Sequence, residues 1–422
     1  MIQNKTIYIL SFITFFTLII GYYLGEDTLG SGREDYEYHI RYLEQFSENF
    51  ILAYNEFGLD QKVLIVRNSP FFYMIFSIFL KIGISLEQLR LINFLIIIPF
   101  FIFFFKCLDI KYAKINLDTK LIFASVLLLS PTVRTLVIWP YPLMWALCFF
   151  LISLFFFLIF ENTKDLSKKA KFAYLNIFFL AISAYFTPNF SIFALYFFYK
   201  FLVFFKFKKE IFIIIFINIA LAIPAIYFIV SKDFYLFKSN IHAFDNSTKY
   251  NLSNKIIIIS SMSFLFFLPY ISINNFFYKI KNNLKIDQNF FILLFFIVIN
   301  LYFYNFDTVP RNAGGGIFYH FSILLFGNSL ILFLIFIFSL YIFKYSSLYN
   351  IDNIFIFFIL IFYNPQFTIY YKYFDPLLFF IFLFMTDFKE EKSFNIKKIS
   401  KKYYLLYVIF LSLNFGKHFI NY

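Results

Sequence analysis

Apolar stretches of similar length recur from one end of this 422-residue chain to the other, and few folds tolerate that pattern. A helix needs roughly 20 residues to cross the hydrocarbon core of a bilayer. Runs near that length fall at about 7–24, 70–84, 89–105, 120–138, 141–160, 172–187, 190–205, 211–230, 256–277, 289–304, 317–343, 351–363, 367–386 and 403–420. With 61% hydrophobic and only 14% charged residues, the chain has too little polar surface to cover them. That excludes a soluble globular domain and predicts an all-α polytopic membrane protein. The 74 Phe and 33 Tyr read as lipid-facing filler favoured by an A/T-rich coding bias, not as a cofactor box. Cys107 and Cys148 sit at or inside apolar runs with no CxxC or Cys/His spacing, so neither a disulfide framework nor a zinc site is expected. No small-residue cleavage site follows the run 7–24, which reads as an uncleaved anchor.

The net charge of +13 points to membrane topology rather than to nucleic acid, because the lysines fall in blocks beside apolar runs. If every run crossed, the acidic segment 25–69 would share a side with the lysine-rich connections 106–120, 161–171 and 206–209, against the positive-inside rule. The conflict disappears if 70–84, "PFFYMIFSIFLKIGI", does not cross; it is short, begins at Pro70 and carries Lys81 near its end. About thirteen crossings then remain, with the N-terminus inside. The outer side receives 25–69, the corner "RTLVIWPYP", "FTPNF", 231–255, "FDTVPRNAGGG" and "YNPQ". The expected organisation is a first transmembrane helix at 1–24 and an outer loop with amphipathic and juxtamembrane helices at 25–88. A transmembrane module at 89–230, an outer loop at 231–255 and a second module at 256–422 follow.

Within the first outer loop, 34–57 has the periodicity of an amphipathic interfacial helix. Tyr36, Ile40, Leu43, Phe50, Tyr54 and Phe57 form one face, with Glu37, Arg41, Glu44 and Glu48 opposite. Ser31 and Glu34 have capping-box spacing, which gives Glu34 a helix-initiating role. Asp35 lies at the edge of the apolar stripe and His39 within it, one turn apart. A carboxylate there could take a proton from an incoming hydroxyl or amine, or it could simply pair with Arg33 or Arg41. Arg67 precedes the juxtamembrane run at headgroup depth, where its planar donors suit phosphate oxygens or an interfacial anchor. "FDTVPRNAGGG" sets Arg311 beside three glycines, either a backbone anion site or a flexible turn.

"REDYEYHIRYLE", "VRNSPFFYMIFSIFLKIG" and "LRLINFL", in that order after a first span, resemble the GT-C superfamily of membrane glycosyltransferases, most closely the protein O-mannosyltransferase and aminoarabinose transferase type. The resemblance implies a GT-C-like bundle of about thirteen transmembrane helices and a large first outer loop carrying the catalytic acid. It implies a polyprenyl-phosphate sugar donor, and Asp35, Glu34 and His39 as the catalytic group. "YYKYFDPLLF" is similar to the family's entry to a late span; it implies that Lys372 grips phosphate with Arg67 and Arg311, and that Tyr373 meets substrate. At the corner where some relatives place a second acid, this chain offers Arg134 and Trp139, which with Arg41 become candidate acceptor contacts.

The function expected on these grounds is transfer of a sugar from a polyprenyl-phosphate carrier to a glycan, lipid or protein acceptor. The expected setting is the outer face of a bacterial inner membrane. No Gly-rich nucleotide motif is present and no cofactor is expected. The alternative is a polysaccharide polymerase or a lipid-linked oligosaccharide transporter. A transporter normally holds its ionisable groups at mid-span, where Arg90 and Lys200 are the main candidates.

Overall fold

The computed structural model describes residues 2–57, 69–112, 115–232, 251–271, 288–306, 314–345, 350–364, 369–386 and 395–420, and throughout them the chain forms helices and turns with no strand. It divides into two compact units, Met1–Ala243 with Tyr403–Tyr422, and Phe244–Lys402. Among the described residues six helices are long and apolar enough to cross a membrane, or seven if one bent pair counts as a single span. The chain is therefore an all-helical protein of membrane character.

The first unit begins with α1 (Ile2–Leu24), then three short helices, α2 (Gly32–Glu48), α3 (Phe50–Glu56) and α4 (Phe71–Lys81). The expected single helix over 34–57 is broken at Asn49, whose side chain accepts from the Leu52 N–H at 3.1 Å and starts α3. The eleven residues of α4 extend ~16 Å, about half a hydrocarbon core, so α4 cannot cross alone. Gly83, at φ 92°, ends that stretch, and a capping box between Ser85 and Gln88 starts the next. There α5 (Leu86–Leu95) and α6 (Ile97–Lys111) run on as one membrane-capable stretch of 26 residues.

The run expected to be a single span over 120–138 is two helices, α7 (Leu117–Leu129) and α8 (Pro131–Ile138), bent by 69°. Ser130 and Pro131 cause the break: the Ser130 hydroxyl accepts from the Val133 N–H, and proline is at home in the first turn of a new helix but not inside an old one. After the bend come α9 (Pro142–Asn162), α10 (Leu166–Phe186), α11 (Phe193–Phe205) and α12 (Lys209–Ser231). α9 and α10 pair antiparallel: Ser153 and Asn176 exchange hydrogen bonds at 2.8–2.9 Å, and the Ser183 hydroxyl donates to the Ala146 carbonyl at 2.7 Å.

Contacts sort the connections of this unit onto two ends. At one, Lys106 lies over Phe103 and Phe155, Lys169 lies between Phe160 and Phe204, and Lys200 is 3.6 Å from Glu161. At the other, α4 packs through Phe71 and Phe72 on Phe186 and through Phe76 on Trp145, while the Lys232 ammonium donates to the Asn55 carbonyl of α3. The lysine-rich connections grouped by charge thus share one end, and α2 to α4 lie at the other.

The second unit is built on α13 (Leu252–Phe267), which is buried from Ser253 onward although it carries Asn254, Lys255 and four serines. Against it pack α14 (Gln288–Tyr302), α15 (Gly316–Phe326), α16 (Leu330–Tyr345) and α17 (Ile351–Tyr363). The expected span 317–343 is therefore two helices, parted at Gly327, whose φ of 65° ends α15. The expected span 367–386 is a one-turn 3-10 helix at Tyr371–Tyr373, a cis Asp375–Pro376 bond, α18 (Leu377–Phe380) and a π-helix at Ile381–Met385. The last helix of the chain is α19 (Ile396–Ile420), whose residues from Tyr403 onward belong to the first unit.

Because Cys107 and Cys148 are both buried, thiol labelling has a low background. Glu44→Cys should react with an impermeant maleimide applied to intact cells, and Lys168→Cys only after permeabilisation. Labelling of both from outside would refute the assignment of opposite sides.

Candidate functional site

The end of the first unit that carries α2 is organised by a sequence of seven residues, Gly25–Ser31, that turns the chain from α1 into α2. Gly25 adopts φ 66° and closes α1: its N–H donates to the Tyr22 carbonyl and the next N–H, of Glu26, to the Gly21 carbonyl at 2.8 Å. This turn folds the Glu26 side chain back over the helix it has just left. There it meets Arg134 of α8, with Nε to Oε1 at 2.6 Å and Nη2 to Oε2 at 2.5 Å, a bidentate pair. Arg134 is 2% exposed; its remaining donors go to the Thr17 hydroxyl and carbonyl and to the Leu128 carbonyl. The Trp139 indole N–H donates to the Glu26 carbonyl at 3.0 Å. Arg134 and Trp139, expected to meet an acceptor, are thus engaged with Glu26, which the sequence reading did not single out.

The rest of the turn is tied to the same buried helix. The Thr28 hydroxyl donates to the Pro131 carbonyl at 2.9 Å and lies 3.0 Å from the Thr135 hydroxyl, which accepts from the Leu29 N–H. At its other end α8 leaves its last carbonyls to side chains of α5. Asn93 donates to the Leu136 and Val137 carbonyls at 3.0 and 2.8 Å while its own carbonyl accepts from the Trp145 indole. Arg90 donates to the Ile138 and Tyr22 carbonyls at 3.2 and 2.8 Å and stacks over Trp139 at 4.5 Å. Arg90, considered above as a transport residue, therefore joins α1, α5 and α8.

The cap of α2 also differs from expectation. Ser31 makes no side-chain capping bond, and Glu34 points to solvent. Asp27 takes the role instead, its two oxygens accepting from the Gly30 and Arg33 N–H groups at 3.0 and 3.1 Å. The helix then lays Tyr36, His39, Leu43 and Phe46 onto α4 and its surroundings. His39 Nδ1 is 2.6 Å from the Tyr73 hydroxyl, and its ring meets Tyr141 edge-on at 4.8 Å. Burial pushes the Tyr36 phenol up to about 12, so it stays protonated and faces the Leu86 carbonyl at 3.5 Å.

Asp35 is half-buried one turn before His39, as the periodicity predicts. Arg41 is exposed, 5.9 Å from the Tyr38 ring, and Arg33 pairs with Glu37 at 3.6 Å on the open face. Arg67 and Arg311 lie outside the described residues. Lys372 and Tyr373 belong to the second unit: Lys372 is half-buried, 5.8 Å from the Tyr370 ring, and Tyr373 is buried. The glycines at the start of α15, Gly314 to Gly316, serve packing. All three have positive φ, and a Cβ on Gly314 would stand 3.2 Å from the Ile369 backbone nitrogen. Among the described residues no three His, Cys, Asp or Glu side chains gather as a metal site would require.

Residues missed from sequence include Lys255, 1% exposed, whose ammonium donates to the Asn364 carbonyl, and Asn254, which exchanges bonds with Asn305 at 3.0 Å. Their signal was a polar opening, "NLSNK", to an apolar run.

Removing one member of a buried pair leaves the other charge uncompensated, at a cost of about 3–5 kcal/mol, whereas removing both leaves an apolar joint of similar volume. Glu26→Gln and Arg134→Met should each lower the unfolding temperature of the purified chain strongly. Glu26→Met with Arg134→Met should recover most of the loss. Additive losses in the double variant would show that the two side chains act separately.

No family model matches this chain, and neither a curated protein nor a solved structure does.

Proposed function

We propose that the chain is a membrane glycosyltransferase that takes a sugar from a polyprenyl-phosphate carrier and passes it to a hydroxyl or amine of a glycan, lipid or protein acceptor at the outer face. The observation that carries this reading is the layer of short helices, α2 and α4, at the end of the first unit away from the lysine-rich turns. A lipid-linked donor needs its reacting carbon at headgroup depth, because the phosphate is costly to bury in hydrocarbon and the isoprenoid tail is costly to expose. A layer of this kind, fixed on membrane-capable helices, supports chemistry at that depth better than groups at mid-span would.

In this reading Asp35 is the base. Half-buried at the edge of the apolar stripe, it takes the proton of an incoming acceptor as the acceptor oxygen or nitrogen attacks the anomeric carbon. The bond to the carrier phosphate breaks, and a guanidinium stabilises the departing charge. Arg67 is the candidate for that task on sequence grounds, directly before the segment that opens α4. His39 acts through the Tyr73 bond as a positioning residue that holds α2 on α4. Glu34, exposed on the open face, is a lesser candidate for the base.

The test is sugar transfer from purified polyprenyl-phosphate sugar into membranes containing each variant. Asp35→Asn should keep insertion and folding but reduce turnover by on the order of a hundredfold or more, while Glu34→Gln should stay within a few-fold. Arg67→Lys should weaken donor use although charge is kept, because the planar fork is lost. Near-normal turnover in Asp35→Asn would refute the assignment of the base, and full activity with a nucleotide sugar and no lipid carrier would refute the donor class.

A further inference from the structure

We propose that the turn between α11 and α12, residues 205–209, is a binding site for anionic phospholipid headgroups, independent of the transfer reaction. Its sequence is "FKFKK". Phe207 is 85% exposed between Lys206 and Lys208, and all three lysines of the turn are exposed. Lys206 has φ 53° and ψ −129°, the one non-glycine residue with positive φ among those described. Glycine would hold that conformation without strain, so a lysine there retains its cation against a backbone preference. The strained residue reverses the chain immediately after α11 and leaves the next ring, Phe207, projecting away from the described residues of its own unit.

The surroundings complete the site. Lys169, buried between the Phe160 ring at 4.9 Å and the Phe204 ring at 3.8 Å, ties the α9–α10 turn to the end of α11. This brings the exposed Lys164, Lys168 and Lys171 to the same end as Lys206, Lys208 and Lys209. The acids nearby are engaged or withdrawn. Asp109 holds Lys120, Glu161 lies 3.6 Å from Lys200, Asp165 caps α10 through the Lys168 N–H, Asp118 is buried and Glu210 half-buried. The end therefore presents a cationic rim around a projecting aromatic ring. A ring that enters the acyl boundary and ammonium groups that meet phosphates immediately above it suit a phospholipid of net negative charge better than a free anion, which would leave Phe207 in water. Orientation alone would be met by lysines anywhere along these connections and requires neither the strained lysine nor the exposed ring.

Phe207→Trp places a reporter in the turn, and the signal of Trp139 and Trp145, at the opposite end of the unit, is subtracted using the unchanged chain. The full chain is reconstituted in vesicles of phosphatidylcholine and phosphatidylglycerol with one or the other lipid brominated. Brominated phosphatidylglycerol should quench the reporter with an affinity at least about fivefold that of phosphatidylcholine, the attraction expected of a single surface lysine. Adding Lys206→Gly, Lys208→Gln and Lys209→Gln should bring the ratio close to one. Lys206→Gly relieves the backbone, and unchanged Trp139 and Trp145 emission shows that the fold persists. Inorganic phosphate added to pure phosphatidylcholine vesicles should leave the reporter unmoved. Equal quenching by the two lipids in Phe207→Trp, a preference that survives loss of the three lysines, or an equal response to inorganic phosphate would each overturn the proposal.

Discussion

A single buried ion pair, Glu26 with Arg134, fixes how the first unit is assembled. An uncompensated guanidinium inside an apolar bundle costs several kcal/mol, so α8 can be buried along its whole length only where a carboxylate reaches it. That carboxylate arrives because Gly25 closes α1 with a left-handed residue and sends the chain back across its own end. Once the pair forms, the positions of Thr28, Trp139 and Arg90 follow, since each bonds to a backbone group that the pair has already placed. The start of α2 is fixed in turn by Asp27, the residue next to Glu26. The candidate site inherits its rigidity from this joint, because α2 carries Asp35 and His39.

Much of the helical framework was legible in the sequence, since apolar runs near membrane length and blocks of lysine are one-dimensional signals. The amphipathic phase of α2 was legible too, and it set His39 on the buried face and Asp35 at its edge. Residues 70–84 were separated from the crossing runs by length and by Pro70, and α4 is too short to cross. The bend at Ser130–Pro131 was also written in the sequence, as a serine-proline helix start inside an apolar run, but unbroken hydropathy hid it. Long-range pairing was not legible. Each charge can be assigned to solvent or interface from its neighbours alone, and nothing local to "GED" or "TVRT" says that the two meet. The helix caps show a milder form of this: Ser31–Glu34 and Ser85–Gln88 have the same spacing, and only the second forms the box. At the first, Asp27 reaches the Gly30 and Arg33 N–H groups from the preceding turn instead.

The second unit shows what happens when membrane-length runs are divided. Its runs contain Gly327 and the Asp375–Pro376 step, and the helices that result are shorter than a bilayer is thick. Polar groups at the ends of the unit's helices need partners within it. Asn254 with Asn305, and Lys255 with the Asn364 carbonyl, are partners of this kind. The first unit meets the same requirement at α8, with Asn93 and Arg90 taking the last carbonyls of a helix that has no continuation.

The order in which the joint is made on the ribosome has a consequence for insertion. Glu26 precedes Arg134 by 108 residues, so at ordinary synthesis rates the carboxylate is in place roughly 5–20 s before the guanidinium emerges. An arginine in an apolar segment resists partition into lipid. Here it arrives with its counter-charge already waiting at the end of the first helix, so α7 and α8 need not enter the bilayer as an independent span. They can fold directly against α1, and the membrane insertion of this stretch becomes a step in tertiary folding.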